Sequence, residues 1–228
     1  MTLPRAVGTP SEATAVFDFD GTITYADSLL PFLRETFGLR RFLGGGIGLA
    51  PVFLGHALGW IEAGEAKSRV LRRFFRGWTL EAMHEAGVRF AASGRLRRLW
   101  NPRALERVAW HREQGHRLIV LSASLEVYLV PSSEMIGIGE VIGTQIDVID
   151  GRFTGRLSGE NCRGEAKLAR LQKYLGAGMD GELYAYGDAR EDWFVLQKAA
   201  HAHYRSFDRD KGLRRKFAAA LALLKAIL

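Results

Sequence analysis

Short apolar runs punctuate this chain, and each ends on a polar residue. Thr14-Ala15-Val16-Phe17 closes on Asp18, Leu118-Ile119-Val120-Leu121 on Ser122, and Leu183-Tyr184-Ala185-Tyr186 on Gly187-Asp188. Runs of this length, apolar throughout, read as strands buried on both faces of a sheet. His201-Ala202-His203-Tyr204 reads as a fourth. Between the first two strands the period changes to that of helices. Arg69 to Arg76 sets Val70, Leu71, Phe74 and Phe75 on one stripe and arginines opposite. Thr79-Leu80-Glu81-Ala82 is an N-cap followed by a helix to about Ser93. Asn101-Pro102 predicts another helix start, with a capping side chain and proline at the first position. Leu105, Val108 and Ala109 form its apolar face, and Gly115 ends it. Asp150-Gly151, surrounded by Ile146, Val148, Phe153 and Leu157, predicts a β-hairpin over Val141 to Leu157. Helices are expected over Glu165–Tyr174 and, amphipathically, over Lys211–Leu228.

Strand–helix–strand alternation predicts an α/β fold with a doubly wound parallel sheet. Residues 1–24 plus 111–228 would form its core. Residues 25–110 would form a helical insertion after the first strand.

One segment stands apart. From Phe42 to Ile61 there is no Asp, Glu, Lys or Arg. That is long enough to span a bilayer, but Gly44, Gly45, Gly46, Gly48, Gly55, Gly59 and Pro51 make it a poor continuous helix. The expectation is a buried or substrate-facing helix–loop–helix, with contact to a lipid surface as the alternative. The tail raises the same question, since Lys211, Arg214, Arg215 and Lys216 precede Leu221, Leu223, Leu224 and Ile227.

With 47% hydrophobic and 25% charged residues, the 228-residue chain can bury a full core. Its net charge of +7 is spread over predicted helices as short arginine clusters, without a basic run or a nucleic-acid-binding signature. Nucleic acid is therefore not the expected partner. Cys162 is the single cysteine, so no intramolecular disulfide forms. The first residues lack the apolar stretch of a secretory signal. A cytoplasmic protein is expected.

The candidate chemistry sits where the strands end, the edge at which open α/β sheets bind ligands. Asp18, Asp20 and Thr22 follow the first strand, Ser122 and Ala123 the second, Asp188 and Asp192 the third, and Lys167 opens a helix between. Two carboxylates flanking Phe19 repel one another unless a cation is present. Ser122-Ala123-Ser124 lacks the glycine-flanked elbow of serine hydrolases. The six histidines show no metal-ligand spacing, and His201 and His203 read as structural.

Asp18-Phe19-Asp20-Gly21-Thr22 resembles the DxDGT motif of the haloacid dehalogenase-like superfamily. Ser122, Lys167 and Gly187-Asp188-Ala189-Arg190-Glu191-Asp192 resemble its second, third and fourth motifs, in order. The helical insertion lies where that superfamily carries its C1-type caps, and the whole resembles subfamily IB, the phosphoserine phosphatase-like hydrolases. The resemblance implies a Rossmann-like core and a Mg2+-dependent phosphatase. Asp18 would be the nucleophile, forming an aspartyl-phosphate. Asp20 would be the general acid and base, and a metal ligand through its carbonyl. Asp188 and Asp192 would complete the metal site. Ser122, the Ala123 N–H and Thr22 would hold the phosphate or orient the carboxylates, and Lys167 would offset charge.

Asp27, nine residues after the nucleophile, stands where phosphoserine phosphatases carry an acid that contacts the substrate amine. It is an aspartate where they have glutamate, and Ser122-Ala123-Ser124 replaces their serine-glycine-glycine. The resemblance thus implies a small phosphorylated metabolite, phosphoserine-like in the first instance. A second branch, the C-type bacterial phosphatidylglycerophosphatases, also resembles this chain, including a long apolar segment in the cap. A non-catalytic phospholigand-binding module is the remaining reading; such a module is expected to lose the nucleophile or the lysine, and both are present.

Overall fold

The computed structural model describes residues 13–176, 179 and 181–207. Five parallel strands form its sheet: β1 (Ala13–Phe17), β2 (Arg117–Leu125), β3 (Glu140–Thr144), β6 (Glu182–Gly187) and β7 (His201–Tyr204), in the order β3-β2-β1-β6-β7. All five residues of β1 are buried, as a central strand requires. Phe17 pairs in register with Val120 on one side and Tyr186 on the other, which brings three strand tips together.

Helices α1 (Leu29–Ile47), α2 (Ala50–Ala57), α3 (Ala63–Phe75), α4 (Leu80–Ala91), α5 (Gly94–Arg97) and α6 (Pro102–Glu113) lie between β1 and β2. The chain leaves and re-enters the core side by side. Tyr25 N–H donates to Leu99 O at 2.7 Å, Asn101 N–H donates to Ile23 O at 2.9 Å, and Thr24 bridges Trp100 antiparallel. This paired neck carries the helical layer. An aromatic cluster joins that layer to the core: Phe32 packs on Tyr128, Phe75 and Phe90 at ring separations of 4.7, 5.6 and 5.5 Å.

Tyr128 lies on α7 (Glu126–Glu134), a helix with Pro131 inside it that the pattern did not announce. α4 lies against it so closely that a Cβ on Gly87 would stand 1.8 Å from Val127 O. Gly87→Ala is therefore expected to destabilise by about 3 kcal/mol or more, beyond ordinary overpacking. The urea midpoint measures this; an unshifted midpoint would mean that the two helices do not meet at backbone distance.

Several expectations are corrected. β2 does not stop at Ser122 but runs to Leu125. Glu140–Thr144 is not part of the hairpin but the parallel edge strand β3, paired with Ile119–Leu125. A short apolar strand reads alike in either setting, so only its partner decides. The hairpin is β4 (Ile146–Ile149) and β5 (Arg152–Leu157), turning through Asp150 and Gly151, both with positive φ. It joins the helical layer: Phe153 N–H donates to Trp78 O, and Leu80 N–H donates to Gly151 O. Asn101 does not cap α6 with its side chain; its amide instead donates to Thr22 O and Phe207 O at 3.4 Å.

α8 (Glu165–Leu175), the 3-10 turn Arg190–Asp192 and the short α9 (Trp193–Leu196) complete the described chain. The expected helix over Lys211–Leu228 lies outside the described residues. Among those described, no helix is long and apolar enough to cross a membrane. The segment from Phe42 to Ile61 does form a helix–turn–helix, and Phe53 and His56 of it line a cavity with Asp18 and Asp20, but it is only partly buried. Phe42 and Leu49 are buried, while Leu43, Ile47, Leu54, Leu58 and Trp60 face outward.

Candidate active site

β1 ends at Phe17, which stacks on Tyr186 at 4.4 Å, and the chain then turns at Asp18-Phe19-Asp20-Gly21. Asp18 N–H donates to Tyr186 O, which continues the sheet pairing by one residue. The carboxylate of Asp18 therefore projects from the central strand tip. Gly21 is needed here for two reasons. Its φ is +87°, and a Cβ would stand 2.5 Å from the Asp188 carboxylate.

Lys167, in the first turn of α8, is 4% exposed and joins two of the acids. Its Nζ donates to Asp18 Oδ1 at 2.7 Å and to Asp192 Oδ1 at 2.5 Å. Asp192 Oδ2 in turn accepts the N–H groups of Asp188 and Ala189, each at 3.0 Å. Asp192 thus fixes both the loop that presents Asp188 and the ammonium beside Asp18. Thr22 Oγ1 is 3.5 Å from Asp188 Oδ1 and steadies the same carboxylate.

Asp18, Asp188 and Asp192 each bring a carboxylate oxygen within 4.8 Å of the others. Burial, followed by the Asp192 and Asp188 carboxylates, pushes Asp18 up against the pull of Lys167. Burial alone would lower Lys167, but Asp18 and Asp192 outweigh it and hold the ammonium charged. One ammonium among three carboxylates leaves the site short of positive charge. The donors are hard oxygens, and Asp188 remains partly open. That donor set fits a magnesium ion, which binds through a few carboxylates and keeps several waters.

Asp20 is held differently. Ser28 N–H donates to its Oδ1 at 2.9 Å, and Ser124 Oγ–H donates to its Oδ2. Tyr128 O–H donates to Ser124 Oγ at 2.9 Å, and Ser28 Oγ–H to Tyr128 at 3.3 Å. This hydroxyl chain aims the Asp20 carboxyl. Burial first and the Asp27 charge second push its pKa up to about 7, against the Ser124 and Ser28 hydrogen bonds. A carboxyl poised there can give and take a proton near neutral pH.

Ser122 is buried and accepts Ser124 N–H at 3.1 Å, so it shapes the β2 turn. Asp18, Asp20, Asp27, Ser122, Ala123, Lys167 and Asp192 all line one cavity of about 440 Å³. Thr22 and Asp188 are not in its lining; Thr22 and Gly21 pack against the Asp188 carboxylate, which clusters with those of Asp18 and Asp192. Asp27 is exposed, and its Oδ1 accepts Leu29 N–H at 2.9 Å, so it also serves the start of α1.

Sequence reasoning missed Lys67 on α3. Its Nζ donates to Ala123 O at 2.5 Å and to Asn161 Oδ1 at 3.0 Å, crossing from the helical layer to the β2 tip. Burial lowers its pKa, while Asp27 and Asp20 support its charge. The available signal was that Lys67 is the single lysine between residues 25 and 110, a stretch otherwise served by arginine. Ser124, Tyr128 and Asn161 gave no signal, because their roles depend on contacts far along the chain.

An acid-rich pocket at the tips of a parallel sheet, closed by a buried lysine and covered by helices inserted after the first strand, defines a hydrolase with an aspartate-centred site. The chain belongs to the haloacid dehalogenase-like hydrolase family, whose model matches residues 15–197. It is 33% identical over 193 residues to Protein CicA of Caulobacter vibrioides, covering 84% of this chain and 85% of that one. It is 28% identical to a Mycobacterium tuberculosis protein named "probable phosphatase", covering 94% and 74% of the two chains. Its fold is that of the probable phosphoserine phosphatase of Vibrio cholerae, with a TM-score of 0.61 at 17% identity over 95% of this chain and 67% of that one.

Proposed function

We propose that this protein is a magnesium-dependent phosphatase that hydrolyses a small phosphate monoester through an aspartyl-phosphate on Asp18. The observation that carries the reading is the Asp18–Lys167–Asp192 cluster beside Asp188, with the separately held Asp20 in the same cavity. Family membership and the naming of the Mycobacterium relative support it.

Asp18 attacks phosphorus, and its bond forms as the bond to the leaving alcohol breaks. Asp20 gives that alcohol a proton and then takes one from the water that attacks the aspartyl-phosphate. Lys167 and the Ser122-Ala123 turn offset and orient the phosphate oxygens. Asp18, Asp188, Asp192 and the Asp20 carbonyl would hold the ion, which supplies positive charge for the phosphate dianion. Residues 25–110 act as the cap, and Lys67 and Asp27 face the substrate from it. Such a pair suits an ester with its own charged groups, phosphoserine being the first to try.

A second reading, a phosphate monoester carried by a lipid, is favoured by Leu29, Leu30, Phe53 and Val70 in the cavity wall. The test is phosphate release with magnesium from phosphoserine, other small monoesters and a lipid phosphate monoester in detergent. Turnover of a monoester is expected; no release from any class of monoester would sink the proposal.

A further inference from the structure

The apolar stretch acquires a meaning once its placement is known. Every residue of α2 except His56 is uncharged and either apolar or glycine, yet Gly55 is the one buried residue of the eight. A helix on a protein surface normally turns a polar face to water. Here the outward side chains include Ile47 at 78%, Leu54 at 60% and Trp60 at 80% exposure. Large apolar side chains exposed together on one short helix and its two flanking turns mark an interaction site.

The charges around it identify the partner. The uncharged stretch begins after Arg40 and Arg41, and Arg73 of α3 comes alongside it. Arg41 and Arg73 line one cleft with Gly44 and Gly45. Arg73 Nε is 3.9 Å from where a Cβ on Gly48 would stand, at the turn between α1 and α2. The nearby acids Glu62 and Glu65 line a different cleft, with Arg72, Arg156 and Arg163.

We propose that the α1–α2 turn and the Trp60 loop dock this protein on an anionic lipid bilayer. Apolar side chains enter the acyl boundary, tryptophan sits at headgroup level, and arginines meet lipid phosphates. One occupant thereby satisfies the apolar tip and its basic collar together. The geometry also bears on substrate access. Phe53 and His56, on the same helix, line the catalytic cavity. A docked protein holds that cavity beside the headgroups, where a phosphate monoester anchored in the leaflet is presented to it; this last consequence rests on the phosphatase reading.

The test is co-sedimentation of the full chain with vesicles of phosphatidylcholine alone and vesicles containing phosphatidylglycerol. Binding to the anionic vesicles is expected to be about tenfold tighter or more, and to weaken with salt. The double variant Ile47→Asp, Trp60→Asp is expected to lose about tenfold or more in partitioning. It keeps wild-type hydrolysis of p-nitrophenyl phosphate, because neither residue lines the cavity. Absence of wild-type binding, or equal binding by the variant, overturns the proposal. So does a concentration-dependent dimer that the variant dissociates without any vesicle binding, which would make the patch a subunit interface. Sedimentation reads no turnover, so vesicle binding without phosphate release would sink the catalytic reading and leave docking standing.

Discussion

Asp18→Asn is expected to lose about 10⁴-fold or more in kcat while remaining folded. Every step of the proposed reaction passes through the Asp18 carboxylate, and an amide oxygen is a poor nucleophile that cannot form the acyl phosphate. Stability should scarcely change, for reasons visible in the site. Breaking a buried ion pair is costly when it strands a charge. Lys167 is not stranded, because Asp192 Oδ1 still accepts from it at 2.5 Å. The variant also removes a carboxylate that burial and two neighbouring acids disfavour in its charged form. Phosphate release and a thermal melt measured on the same preparation check both halves. A folded variant with wild-type turnover would remove Asp18 from the mechanism.

Chelation is expected to have an effect of similar size. EDTA should lower turnover by about 10³-fold or more, and magnesium should restore it. A second readout does not depend on activity. Three clustered carboxylates face a single lysine, so magnesium should raise the melting temperature of the wild type by a few degrees, following the mass action of a ligand bound to the folded state. Asp188→Asn should blunt that rise. Turnover that survives the chelator, with a melting temperature indifferent to magnesium, would remove the metal from the site.

Part of the candidate site was legible in the sequence for a physical reason: Asp18, Ser122 and Asp188 each end an apolar run, and parallel pairing brings such ends to one edge of the sheet. Asp18, Ser122 and Asp188 needed only that rule. The supports were not legible, because they arise from contacts between distant segments. Ser124 reaches Asp20 across 104 positions, and Lys67 reaches Ala123 across 56. β3 was misassigned for a related reason: an edge strand and a hairpin strand share one pattern, and Val120↔Val141 pairing decides between them. For Phe42 to Ile61, composition excluded charge but could not say which face was covered. Burial of Gly55 and exposure of Leu54 are facts of packing alone.

The paired neck formed by Ile23–Tyr25 and Leu99–Asn101 has a consequence for how such a protein can change. The two chain crossings already meet, so the core has little entropic stake in the length of chain between them. The neck is in effect a graft point for chain length: residues can be added or lost beyond Ser28, which still holds Asp20, while Asp18 and Asp188 stay where the sheet puts them. The length of the inserted helices and the placement of the acids on the sheet are thereby written in separable stretches of one chain, and the first can drift without erasing the second.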